Sequence, residues 1–271
     1  MRVAVIDSGF GMVNYADALS RVRPDTELVL ARDPDNMPYG LLEPARISEC
    51  VVAMAGAAAR HDVDAIIVAC NTGSMYALEA ARARFEPAIP VVGVVPAIRP
   101  AGSTGRPFAV WATAAATVSD YQTSLIDAFA DPALAHRIPC YGLAEAIDSG
   151  SPERVTAAID AAAAATPADI ESVVLGCTHY GLVREPIVAA LRARTGRDVA
   201  VFDSPEPVAR QALRRLGVEP GGPSGLGEVV AVLESGRPGA LPASLAAYPA
   251  GRLLLQRCGS PHENAVTKES R

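Results

Sequence analysis

Short apolar runs that do not alternate with polar residues, each followed by a stretch of helical character, recur along this chain and leave it few architectures. Such runs lie at Val3–Ile6, Glu27–Ala31, Ala65–Val68, Val91–Val94, Phe108–Trp111, Ser172–Leu175 and Val199–Phe202. A strand with one face in water carries a polar residue at every second position. Unbroken apolar runs therefore suit strands buried on both faces. The segments between them predict helices over Tyr15–Arg21, Pro44–Arg60, Ser74–Phe85, Ala116–Phe129, Pro152–Ala165 and Arg184–Arg194. Strand then helix, repeated, is the order of an α/β protein with mostly parallel sheets.

At 271 residues the chain is long enough for one large domain or two modest ones. The Pro- and Gly-rich segment Arg99–Pro107 reads as a boundary. The glycine-rich stretch Glu219–Gly227 follows no strand and contains Pro223, so it reads as a loop rather than a phosphate cradle. The polar tail, residues 261–271, is expected to be disordered.

Charge and composition exclude several functions. The net charge is −6, with no basic run, which argues against nucleic acid as a partner. Lys268 is the sole lysine and lies in the tail. Neither a pyridoxal-phosphate Schiff base nor a phosphate-binding P-loop has its lysine. The four histidines are scattered, so no metal site is expected, and no cofactor is called for. No apolar run is long enough to span a membrane. The N-terminus opens on strand-like residues without a signal-peptide pattern. The five cysteines form no C-x-x-C pair. The expectation is a cytoplasmic protein with reduced thiols.

Two segments echo each other. Ala65-Ile66-Ile67-Val68-Ala69-Cys70-Asn71-Thr72 and Ser172-Val173-Val174-Leu175-Gly176-Cys177-Thr178-His179 are each an apolar strand, a small residue, a cysteine and small polar residues, leading into a helix. A second echo sets Val5-Ile6-Asp7-Ser8 against Val201-Phe202-Asp203-Ser204. The first suggests two similar halves, each presenting one thiol at the carboxyl end of a strand, where open α/β sheets bind ligands. A helix N-terminus there favours thiolate and offers N–H donors to a carboxylate. Two opposed thiols suit inversion at a carbon, one taking a proton while the other gives one. Asp7 is placed to serve Cys70, and His179 to serve Cys177. Cys50, Cys140 and Cys258 have no such setting and read as core or incidental.

The motifs resemble those of the glutamate racemases, within the aspartate/glutamate racemase superfamily. The similar segments are Asp7-Ser8-Gly9-Phe10-Gly11, Met37-Pro38-Tyr39-Gly40, Ala69-Cys70-Asn71-Thr72, Val91-Val92-Gly93-Val94 and Leu175-Gly176-Cys177-Thr178-His179-Tyr180. The resemblance implies two similar three-layer α/β domains, 1–98 plus 208–260 and 99–207, with the active site in the cleft between them. It implies interconversion of L- and D-glutamate, supplying D-glutamate for peptidoglycan. Cys70 and Cys177 would be the acid/base pair, with Asp7 and His179 as their partners. Asp148 stands where the family has a glutamate, with Glu145 a nearby alternative. Ser8, Pro38, Tyr39, Gly40, Asn71, Thr72, Thr113, Thr117 and Thr178 would hold the substrate.

The chain departs from the family at Gly11-Met12, at Ala31-Arg32-Asp33-Pro34 and at Val95-Pro96-Ala97. These changes surround the pocket and keep open another amino-acid substrate, such as aspartate, or a non-catalytic protein that binds an acidic ligand or a protein partner. The expected partner is a small amino acid; a homodimer is compatible with the sequence.

Overall fold

In a computed structural model describing residues 1–223 and 225–258, the apolar runs form two separate sheets. The expectation for the tail falls outside the described residues. The strands are β1 (Arg2–Asp7), β2 (Glu27–Arg32), β3 (Ala65–Val68), β4 (Val91–Gly93), β5 (Phe108–Ala112), β6 (Ala135–Pro139), β7 (Ser172–Leu175), β8 (Ala200–Phe202), β9 (Val229–Glu234) and β10 (Arg237–Pro238). One sheet runs β10-β9-β2-β1-β3-β4, parallel except where β10 turns back on β9. The other runs β6-β5-β7-β8 and is parallel throughout.

The period of two along each strand sorts side chains onto opposite faces. In β1, Val3 and Val5 enter a core shared with Trp111, Val173 and Leu175 of the other sheet, while Ala4 and Ile6 face a core built with the 44–59 helix. Phe108, Val110 and Val174 fill a third core on the outer face of the second sheet. The shared core also takes up the helices Met12–Val22 and Pro205–Leu216. This is why the strand sequences lack alternation: neither face meets water.

Both sheets reverse direction at the same point. From β1 the chain steps to β2 on one side and then to β3 on the other; from β5 it steps to β6 and then to β7. Each cysteine follows the strand after the reversal, at a switch point of the sort where α/β sheets open a crevice. The second echo does not share this equivalence. β8 lies at a sheet edge beside β7, so the counterpart of β1 is β5, and Asp203 does not stand where Asp7 does. Ser204 instead bonds the Tyr15 hydroxyl at 2.8 Å.

Some elements differ from expectation. The helix foreseen over Ala116–Phe129 is two, Ala114–Thr117 and Asp120–Phe129. Ser119 caps the second by accepting from the Gln122 N–H, which starts a new helix in mid-pattern. β6 is an edge strand with one fully buried residue, Ile138, so its sequence carries no apolar run. After Cys177 the chain makes a 3-10 turn, Thr178–Val183, before the Arg184–Thr195 helix. Helices over Leu143–Ser149, Pro205–Leu216 and Pro249–Arg257 were not foreseen. No helix among the described residues is long and apolar enough to cross a membrane.

Trp111, the chain's single tryptophan, is fully buried, and its indole N–H donates to Thr166 Oγ1 at 3.0 Å. Thr166→Val keeps the shape but strands that N–H, which costs about 1–3 kcal/mol. Urea unfolding followed by the fluorescence of this one indole should show the loss as an earlier midpoint with an unchanged slope.

Candidate active site

The carboxyl ends of β1, β3, β5 and β7 converge on a cavity of about 220 Å³. Cys70 and Cys177, from different sheets, both line it. Asp7, Ser8, Asn71, Thr72, Thr113, Thr178 and His179 join them, with Pro38, Tyr39 and Gly40 on another side. Thr117 is absent from the lining: it is buried, and its hydroxyl donates to the Thr113 carbonyl at 2.9 Å. The Tyr39 hydroxyl is likewise committed, donating to the buried Asp33 at 2.9 Å. Asp33 also accepts from Asn36 and Ser235, and so fixes the loop that carries Pro38–Gly40.

Cys70, two residues past β3, is extended and caps the Asn71–Phe85 helix, its sulfur accepting from the Gly73 N–H at 3.3 Å. The Ser8 hydroxyl lies 3.7 Å from the same sulfur. Asp7 makes no direct bond to Cys70. It accepts from the Ser8 N–H at 2.6 Å and from the Ser8 hydroxyl at 3.2 Å, so its reach to the thiol runs through Ser8. The expectation of a thiolate at Cys70 is corrected. Burial pushes this thiol up to about 12, with the Asp7 charge adding to the rise, and the helix-end N–H does not compensate. Cys70 in this setting holds its proton at neutral pH.

Cys177 is arranged differently. It opens a 3-10 turn rather than an α-helix, so the dipole expected behind it is short. Its sulfur lies 3.7 Å from His179 Nδ1. On the other side of the ring, Nε2 is 3.2 Å from Asp148 Oδ1. Burial pulls the imidazole pKa down, but Asp148 and then Cys177 outweigh it and hold the ring well above its ordinary value. The Phe10 N–H lies 3.0 Å from Asp148 Oδ1 and 3.1 Å from His179 Nε2. With the ring protonated, Nε2 is itself a donor, and the Phe10 hydrogen goes to the carboxylate.

Asp148 stands behind His179 and does not line the cavity, whereas Glu145 does. The two candidates thus separate by position, Asp148 at the imidazole and Glu145 at the wall. Cys140, read from sequence as core or incidental, also lines the cavity while being buried. Sequence reasoning missed Tyr141 and Ala144 in the wall as well. Their only sequence signal is that they follow the end of β6, a strand that was itself not foreseen.

The two sheets are tied together at the site. Thr178 Oγ1 donates to Asp7 Oδ2 at 3.0 Å, Asn71 Nδ2 to the Gly176 carbonyl at 2.9 Å, and Asn14 Nδ2 to the Thr178 carbonyl at 2.7 Å. A side chain at Gly11 would collide with both Thr178 and Asp7, so this tie needs glycine there. Among the described residues no cluster of His, Cys, Asp and Glu could hold a metal ion.

The profile of the Asp/Glu/Hydantoin racemase family matches residues 11–222. Glutamate racemases from Roseiflexus sp. (strain RS-1) and Pseudomonas putida (strain GB-1) are each 33% identical, covering 77% and 79% of this chain and 77% and 81% of their own. The crystal structure of Escherichia coli glutamate racemase with L-glutamate and the activator UDP-MurNAc-ala superposes with a TM-score of 0.76 at 28% identity, over 91% of each chain. That of the Thermus thermophilus enzyme with beta-chloro-D-alanine gives 0.66 at 27% identity, over 96% of this chain and 93% of that one.

Burial raises the Asp7 pKa from 3.8 to about 6, against the opposing pull of His179 and Thr178. The native state therefore holds this proton more tightly than the unfolded chain does. The resulting stabilisation is complete below 3.8 and is lost as pH rises through about 6. It amounts to about 3 kcal/mol at most. Denaturant unfolding between pH 4 and 6 should show this downward slope, and Asp7→Asn should flatten it.

Proposed function

Because the chain belongs to the Asp/Glu/hydantoin racemase family, we propose that it interconverts L- and D-glutamate without a cofactor, using Cys70 and Cys177 as opposed acid and base. The observation that carries this reading is that two thiols from different sheets line one small cavity. Each has a separate polar partner, Ser8 backed by Asp7 for Cys70, and His179 backed by Asp148 for Cys177.

The reaction needs one base and one acid at the same moment. The two sulfurs have distinct settings for these roles. Cys70 carries its proton, and Cys177 has a cationic imidazole to donate toward its sulfur. With substrate bound, Cys177 takes the α-proton from one face while Cys70 delivers its own to the other. The enzyme is left with the protonation states exchanged, ready for the opposite enantiomer. The rise of Cys70 toward 12 comes from burial and the Asp7 charge; a substrate ammonium group placed beside it would favour its thiolate in return.

Substrate carboxylates would be met by hydroxyls and backbone N–H groups from Ser8, Asn71, Thr72, Thr113 and Thr178, since among the described residues no arginine or lysine lines the cavity. Asp148 is one methylene shorter than the family's glutamate yet reaches His179, which supports retained proton handling at Cys177 over a purely binding role. The D-glutamate formed would serve peptidoglycan synthesis in the cytoplasm.

Cys70→Ala and Cys177→Ala should each lower racemisation of glutamate by about 10²–10⁴-fold, read by circular dichroism. Wild-type protein in deuterated water should incorporate deuterium at the α-carbon of glutamate in preference to aspartate and other amino acids. Full activity in either variant would end the two-thiol mechanism, and a preference for aspartate would replace the substrate.

A further inference from the structure

The turn between β9 and β10 is Ser235-Gly236, closed by the pair Glu234 and Arg237. Both turn residues have positive φ, +47° at Ser235 and +79° at Gly236. Two-residue hairpin turns of this kind take asparagine, aspartate or glycine first, because other side chains crowd the backbone there. Serine is held against that preference. A strained residue of this sort points to a use for its side chain. The Ser235 hydroxyl donates to Asp33 Oδ1 at 2.6 Å and accepts from the Asp35 N–H at 3.2 Å. We infer that Ser235 is a positioning residue for the substrate loop, its hydroxyl acting through Asp33 to set where Pro38, Tyr39 and Gly40 stand in the cavity wall.

Asp33 is fully buried, and its side-chain donors Ser235, Asn36 and Tyr39 are all neutral. A buried carboxylate served in this way loses much when one donor is removed. Its own N–H donates to the Ser8 carbonyl at 3.2 Å. Asp33 therefore joins three pieces of chain: the β9–β10 hairpin, the Pro38–Gly40 loop and the end of β1. The hairpin is seated by further contacts. The Ser235 N–H donates to the Arg32 carbonyl at 2.8 Å, Arg32 pairs with Glu234, and Arg237 pairs with Asp35 at 2.7 Å. The last pair is exposed and contributes little. The buried end of the clamp is the bond from Ser235 to Asp33. With the Tyr39 hydroxyl spent on Asp33, the loop serves a ligand by where its backbone stands. Ser8, by contrast, has its N–H and hydroxyl held by Asp7, so loss of the Ser235 hydroxyl loosens the loop before it reaches Cys70. Binding should suffer and the proton transfers should not.

The inference rests on the reading of the cavity as a glutamate site, and its first measurement needs no substrate, so that the two can fail separately. Ser235→Gly removes the hydroxyl and relieves the backbone; Ser235→Ala removes the hydroxyl and keeps the strain. The N–H groups of Leu41 and Leu42 donate to the Pro38 and Tyr39 carbonyls. In the whole protein, their hydrogen exchange should quicken about threefold to tenfold in both variants, with the Asn71–Phe85 helix unmoved. KM for glutamate should rise about threefold to tenfold, while kcat stays within about twofold. Tyr39→Phe should raise KM likewise, and the double variant with Ser235→Gly should go no further than the larger single effect, since both break one chain of bonds. Unchanged exchange in the loop overturns the inference, as does a fall in kcat at constant KM. An effect confined to Ser235→Ala overturns it too, by placing the cause in the backbone. Should one variant fail to fold, the other carries both measurements. A wild-type protein that racemises no glutamate would lose the proposed reaction, and the exchange at Leu41 and Leu42 would still decide the clamp.

Discussion

Asp7 is a buried carboxylate at the end of a central strand, and a charge in that position needs partners. Its bonds to Ser8, Gly9 and Thr178 tie the first sheet to the second exactly where both present a thiol. Thr178 is one residue from Cys177, and Ser8 touches Cys70, so a single carboxylate sets the positions of both sulfurs. The link from Asn71 to Gly176 repeats the tie one layer away. Together with the bonds from Phe10, Asn14 and Tyr15 to Asp148, Thr178 and Ser204, they define a register between loops that the apolar core alone does not.

The same closeness shapes the electrostatics. Asp148 adds to the burden on Asp7, and the His179 cation relieves it. The two thiols therefore sit in unequal fields although their sequence motifs match. Cys70 is buried beside a carboxylate; Cys177 is paired with an imidazole. The motif similarity reports where the sulfurs stand, while their settings differ: Asp7 acts on Cys70 from far along the chain, and His179 lies within the motif of Cys177 itself.

That division explains what was legible beforehand. Strands buried on both faces announce themselves as apolar runs, and Ala65–Val68 and Ser172–Leu175 occupy the stretches read for them. The Pro38–Gly40 loop and the residues after each strand were legible through motif resemblance. β6 was not, because an edge strand whose His136 and Arg137 are only partly buried needs no apolar run, and with it went Cys140 and Tyr141 as wall residues. Thr117 illustrates the opposite error: a hydroxyl near the right place in sequence is spent on its own helix. The Asp148–His179 contact lay beyond sequence reading because 31 positions and a complete strand–helix unit separate the two residues.

The matched reversal of strand order in the two sheets has a stereochemical consequence. A catalyst of inversion cannot favour one antipode at equilibrium, since mirror-image molecules have equal free energy in water. Its scaffold must therefore offer comparable access to both sides of one tetrahedral centre. A chain that builds the same crevice twice and turns the two toward each other meets that demand through topology, leaving local chemistry free to differ between the two approaches.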